Sequence, residues 1–211
     1  MRGKAYKAAK EKTPSEAVDV GTAVKTLQEQ AHKKFDETVE VHIHLGVDPA
    51  KSDQVVRGSV TLPAGAPKEK KVVVIKNDAA SEKLLEEIEK NGTLEADVVI
   101  ATPDMMPRIA KVARILGPKG LMPNPKTGTV TPNPEAVIKE LAGGKVSFKM
   151  DQLGNIHEAV AKLSWDAEKI TANIKALSEA VRAARPATAK GEFVKKVVVK
   201  STMSPAIRVS M

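Results

Sequence analysis

The chain has 211 residues, 34 Lys plus Arg against 26 Asp plus Glu, and no cysteine. Disulfides, cysteine-based zinc sites and thiol chemistry are excluded, and the net charge of +8 favours a nucleic acid or an anionic surface as partner. No apolar run approaches the roughly 18 residues of a membrane span, and the cationic start Met1-Arg2-Gly3-Lys4 has no apolar core behind it, so neither a membrane segment nor a secretory signal is expected.

Residues 1–13 read as a basic lead-in. Ala17, Val20, Val24, Leu27 and Ala31 recur at spacings of three and four and predict a helix over 15–34 with Ser15 as N-cap. Residues 38–47 alternate strictly: Val39, Val41, Ile43, Leu45 and Val47 form one face, and Thr38, Glu40, His42 and His44 the other. That is a strand with one face on a core and one face open. A second strand is expected over 55–62, followed by a joint at Pro63-Ala64-Gly65-Ala66-Pro67.

Past the joint the texture changes. Val72–Ile75 and Val98–Ala101 are continuous apolar runs, expected as strands buried on both faces. Helices are expected at 81–90 with Ser81 as cap, at 104–116, and at 134–142 with Asn133 as cap and Pro134 in the first turn. Strands alternating with helices imply a small parallel α/β unit, closed by Gly143-Gly144. Half-open strands then return at 145–151 and 155–163, flanking a predicted hairpin turn at Asp151–Gly154. A helix at 166–184 and a strand at 193–201 follow. Neither flank alone carries enough elements to bury a core. The expected organisation is therefore a discontinuous α+β domain, 1–65 with 145–211, and an inserted α/β domain at 66–144. Ala64, Gly65, Gly143 and Gly144 would be its hinge.

The densest motif is Gly117 to Val130, a Gly- and Pro-rich loop carrying Lys119 and Lys126. It is not a phosphate-binding P-loop, because Pro125 stands where the second glycine belongs and has no N–H to offer. Arg108, Lys111 and Arg114 just upstream could share one helix face, although an ordinary solvated face has the same spacing. Glu40, His42 and His44 could contact an RNA backbone or simply face solvent. Only His32 and His157 remain as further histidines, so no metal is expected. Lys195, Lys196 and Lys200 run into Ser201-Thr202-Met203-Ser204-Pro205, a hydroxyl-rich turn suited to sugar and phosphate contact, or else an edge strand protected by lysines. Aromatics are scarce, so RNA would be read by folded shape and backbone rather than by stacking. No catalytic constellation appears, and no cofactor is expected.

Gly117–Val130, preceded by Ile115-Leu116, resembles the signature of the bacterial ribosomal protein L-one family, the protein of the mobile side stalk. Arg2–Tyr6, Phe35–Glu40, Val56-Arg57-Gly58, Ala101–Asp104 and Ser201-Thr202-Met203 resemble it too, in order along the chain. The resemblance implies a discontinuous α+β domain with a Rossmann-like insertion. It also implies a cytoplasmic, ribosome-bound, non-enzymatic protein that binds side-stalk ribosomal RNA, assists release of deacylated transfer RNA from the exit site, and represses its own messenger. No membrane and no small-molecule substrate are implied. Carried over, the RNA contacts fall at Lys34, Phe35, Thr38, Glu40, Lys51, Asp151, Gly154, His157, Thr202 and Met203, with secondary contacts at Arg114, Lys119 and Lys126. Three departures stand out: Gln152-Leu153 where relatives have Lys-Thr, Ser204 where they have Gly, and a shortened 77–96 region.

Overall fold

The computed structural model describes residues 4–30, 34–51, 53–68, 71–91, 94 and 96–210. His32, the Arg2-Gly3 part of the N-terminal motif and the side chain of Lys126 lie outside the described residues. The fold is mixed α/β and divides into two compact units, Met1–Pro67 with Gly144–Met211, and Lys68–Gly143. No helix among the described residues is long and apolar enough to cross a membrane.

The first unit is built on β1 (Thr38–Leu45), the strand with the clearest alternation. Its inward residues Val39, Val41, Ile43 and Leu45 are buried, while Thr38, Glu40, His42 and His44 are half-buried on the other face. β1 pairs antiparallel with β6 (Asn155–Lys162) on one side and β7 (Val194–Ser201) on the other. β8 (Ile207–Val209) completes the sheet in the order β6-β1-β7-β8. Two helices bring their apolar stripes into the same core: α2 (Val20–Glu29) through Val20, Ala23, Val24 and Leu27, and α7 (Ala167–Ala183) through Ile170, Ile174, Leu177 and Val181. A second, two-stranded sheet joins β2 (Arg57–Thr61) to β5 (Lys145–Lys149). Phe148 fits under Gly58, where a Cβ would stand 2.9 Å from the ring.

Several expectations for this unit need correction. α2 begins at Val20, not near Ser15: Asp19 caps it, its carboxylate accepting the Gly21 N–H at 2.9 Å. Residues just before it are drawn into the sheet edge instead, where Val18 donates to Arg208 O and accepts from Ser210 N. The lead-in is partly helical, as α1 (Lys4–Glu11). The turn at Asp151–Gly154 is real, but the strands it joins do not form a hairpin. β5 pairs with β2 and β6 with β1; only a Met150–Ile156 bridge holds the base of the turn.

In the second unit, β3 (Val72–Ile75) and β4 (Val98–Ala101) run parallel, with α3 (Ala79–Asn91) between them in sequence. β4 is largely buried; β3 is buried only at Ile75 and half-buried before it, so its apolar run does not mean burial on both faces. Ser81 does not cap α3: Asp78 does, accepting the Ser81 N–H at 2.8 Å, while Ser81 Oγ accepts Lys76 N–H. The expected helix at 104–116 is broken into short 3-10 and α pieces, including α4 (Met106–Ile109) and α5 (Ala113–Leu116). Its amphipathic pattern survives: Met105, Ile109, Val112 and Leu116 are buried. α6 (Pro134–Ala142) has Pro134 in its first turn, but the Asn133 side chain makes no cap bond.

Candidate nucleic-acid interface

The open face of the four-stranded sheet gathers most of the polar residues singled out from the sequence. Strand register sets the rows: His157, His42, Val198 and Arg208 lie in line across the sheet, Asn155, His44 and Lys196 form a second row, and Glu40 stands beside Lys200. Lys200 Nζ is 2.9 Å from Glu40 Oε2. Because β7 alternates, its buried Val197, Val199 and Ser201 leave Lys196, Val198 and Lys200 on the same face as the histidines. Lys162 at the end of β6 adds a further cation, donating to Thr38 Oγ1 at 2.8 Å.

One end of this face is organised by a buried carboxylate. Glu37 is 3% exposed; its Oε2 accepts the Ser201 hydroxyl and, at 3.0 Å, the Met203 N–H. These bonds hold the turn after β7 against the start of β1. Thr202 Oγ1 accepts the Thr38 N–H at 3.1 Å there, and the Phe35 and Met203 side chains stand exposed. Ser204 needs no left-handed backbone: no non-glycine residue described has a positive φ. Its hydroxyl accepts the Ser201 N–H at 2.8 Å and so tightens the turn.

The other end is the Asp151–Gly154 turn. Asp151 Oδ1 accepts N–H bonds from Leu153 (2.9 Å) and Asn155 (2.7 Å), and Oδ2 lies 3.3 Å from His157 Nε2. Burial works against the Asp151 charge, but the Asn155 and Leu153 bonds outweigh it and hold the carboxyl below its ordinary value. Gly154, at φ +79°, turns its carbonyl to the Leu45 N–H. Leu153 projects from this braced turn, 76% exposed.

Thr38, Glu40, Asp151, Gly154, His157, Thr202 and Met203 are thus brought onto or around one sheet face. Lys34 and Phe35 lead into it, exposed. Lys51 sits apart on the loop after β1, paired with Asp48 at 3.9 Å. Sequence reasoning missed Glu37, Lys162 and Arg208 as members of the face. Arg208 and Lys162 could be placed only once strand order was known, and nothing in the sequence marks Glu37 as buried.

In the second unit, Arg108, Lys111 and Arg114 are all exposed, and Lys119 lies in the turn after α5. The Gly/Pro loop is knitted internally: Asn124 N–H donates to Thr129 Oγ1 at 2.8 Å, and Asn124 O accepts the N–H groups of Thr127 and Thr129. Gly120 and Gly128 supply its positive-φ turns. Of the hinge residues, Ala64 and Gly65 are tied to Asn173 of α7, through Ala64 N–H to Oδ1 (3.0 Å) and Nδ2 to Gly65 O (3.1 Å). Gly144 O accepts the Leu62 N–H. Gly143 caps α6. No cluster of three or more metal-ligating side chains occurs among the described residues.

A family model described as the ribosomal protein L1p/L10e family matches residues 27–205. The chain is 45% identical to a large ribosomal subunit protein uL1 of Corynebacterium kroppenstedtii, over 98% of this chain and 92% of the relative. It is 44% identical to the uL1 protein of Mycobacteroides abscessus (98% and 93%) and 43% identical to that of Persephonella marina (100% and 94%).

Proposed function

The chain belongs to the ribosomal protein L1p/L10e family, and from that premise we propose that it is a constituent of the large ribosomal subunit that grips the side-stalk ribosomal RNA with the open face of its four-stranded sheet. The observation that carries this reading is the face itself. Lys196, Lys200, Lys162, Arg208 and the histidines are held by strand register beside the hydrogen-bonded Thr38–Thr202 end and the braced Asp151 turn. The cations position phosphates; Thr38, Glu40 and Thr202 reach sugars or base edges; Phe35 and Met203 pack on a ribose. Such a surface suits RNA shape, and its role is structural rather than catalytic.

On this reading the first unit is the discontinuous RNA-binding domain and the second an inserted α/β domain, with Arg114, Lys119 and Lys126 making secondary RNA contacts. The two crossings are the hinge. On the ribosome the protein assists release of deacylated transfer RNA from the exit site, and off it the same face represses its own messenger.

The test is binding to a three-way-junction fragment of the stalk RNA, beside an unrelated duplex, across a salt series. Preference for the junction at every salt concentration is expected, with log affinity falling by roughly 0.7–0.9 per phosphate contacted for each tenfold rise in salt. Equal affinities that collapse together would reduce the face to a general polyanion attractor and refute the reading.

A further inference from the structure

Four titratable side chains form a continuous chain across the middle of the sheet face. Asp151 Oδ2 is 3.3 Å from His157 Nε2, His157 Nδ1 is 2.7 Å from His42 Nδ1, and His42 Nε2 is 3.6 Å from Glu40 Oε2. The protons can be assigned by elimination. Ionised carboxylates only accept, and Asp151 at 3.3 Å lies within hydrogen-bond distance of its histidine whereas Glu40 at 3.6 Å does not, so in the neutral pair His157 carries its proton on Nε2 toward Asp151. Its Nδ1 is then a lone pair, and the 2.7 Å contact requires the proton on His42 Nδ1. A neutral His42 therefore presents a bare Nε2 toward the Glu40 carboxylate, two acceptors with nothing between them. That atom is buried and has no hydrogen-bond partner in the structure.

One added proton would complete the chain. Placed on His42 Nε2, it keeps the His42–His157 bond and gives Glu40 a donor. What opposes it in the free protein is, first, burial of the ring, then the neighbouring His157 and the Lys200 charge, with Glu40 pulling the other way; the His42 pKa accordingly lies below its ordinary value. The groups on this face around His42 are Glu40 and His44 on β1, His157 with Asp151 behind it on the β6 side, and Lys200 and Lys196 on β7. A phosphate laid on the face would engage Lys200 and add negative charge, removing one opposing influence and supplying an attractive one.

We propose that the Asp151–His157–His42–Glu40 chain takes up one proton from solvent, onto His42 Nε2, when an RNA backbone occupies the sheet face, so that RNA binding by this protein is proton-linked. The inference rests on the RNA-binding reading above and adds a positioning residue, His42, which acts through Glu40 and Lys200 and whose contribution depends on pH. No other bond is made or broken.

The test is calorimetric titration of the full chain with the stalk three-way-junction RNA near pH 7, in buffers of different ionisation enthalpy, beside the unrelated duplex. For the native chain, uptake of up to one proton is expected. Affinity for the junction should also tighten as pH falls from 7.5 to 6, because the bound state holds the extra proton more firmly than the free state. His42→Asn keeps a donor toward His157 but cannot take the proton, and its uptake should fall toward zero. Junction preference without uptake in the native chain would overturn this inference alone, as would full uptake in His42→Asn. Equal binding to both RNAs would overturn the RNA-binding reading and this inference with it.

Discussion

Replacing Glu37 by alanine removes the acceptor that holds the turn after β7 against the start of β1. The carboxylate is 3% exposed and takes two hydrogen bonds, from the Ser201 hydroxyl and the Met203 N–H. Hydrogen bonds to a charged group are each worth about 1.5–3 kcal/mol, and the truncation leaves two donors without their partner. Water can reach the Met203 end, which lowers the sum, so a loss of about 3 kcal/mol is expected. With a typical urea slope of about 1–3 kcal/mol per molar, the midpoint should fall by roughly 1–3 M. The single tryptophan, Trp165, packs against the core of the same unit and reports the transition by fluorescence. RNA affinity should fall as well, because the Thr38–Thr202 contact loses its brace. Glu37→Gln keeps the shape and one acceptor and should lie between the native chain and the alanine variant. A midpoint unchanged in Glu37→Ala would refute the assignment of this carboxylate as the organiser of the turn.

Gly144→Ala should destabilise the first unit by about 2 kcal/mol or more: φ is +95°, and the new Cβ would stand 2.6 Å from Gly65 Cα, with both backbones fixed. Urea denaturation followed at Trp165 checks it. Asn173→Ala empties a fully buried site that bonds Ala64 N–H, Gly65 O and Val160 O; a loss of about 2–4 kcal/mol is expected, with faster amide exchange at Ala64, and unaltered exchange there would contradict the anchoring role. The Asp151 carboxyl is held below its ordinary 3.8, so its contribution to stability is complete above that value and is lost as pH falls through the lower folded pKa. The stability gap between the native chain and Asp151→Asn should be widest near neutral pH and close in strong acid, as read from urea midpoints across a pH series.

What the sequence revealed and what it hid divide along one physical line. Strand β1 was legible because its period of two is unbroken for eight residues, and each inward position is buried as the alternation requires. The polar partners on its open face were legible as a set for the same reason. β8 was not, since three residues, Ile207-Arg208-Val209, carry too little pattern to stand out from a loop. α1 was not, because the apolar side of Lys4–Glu11 is only alanines and one tyrosine, and Ala9 is the one buried residue among its described side chains. α2 was predicted five residues early because Ala17 fits the helical period, yet Val18 finds stronger partners in the backbone of Arg208 and Ser210. Tertiary pairing of that kind has no local signature. The same limit governs the site. Glu37 and Ser201 meet across 164 residues, and His42 meets His157 across 115. Residue types at the interface can be read from one strand, but the contacts that set their charge and orientation exist only once β6, β1 and β7 are in register. The arrangement of this face therefore rests on register: slipping β6 by one residue against β1 would keep every side chain in the sequence and undo the His42–His157 pair and the Lys162–Thr38 bond together.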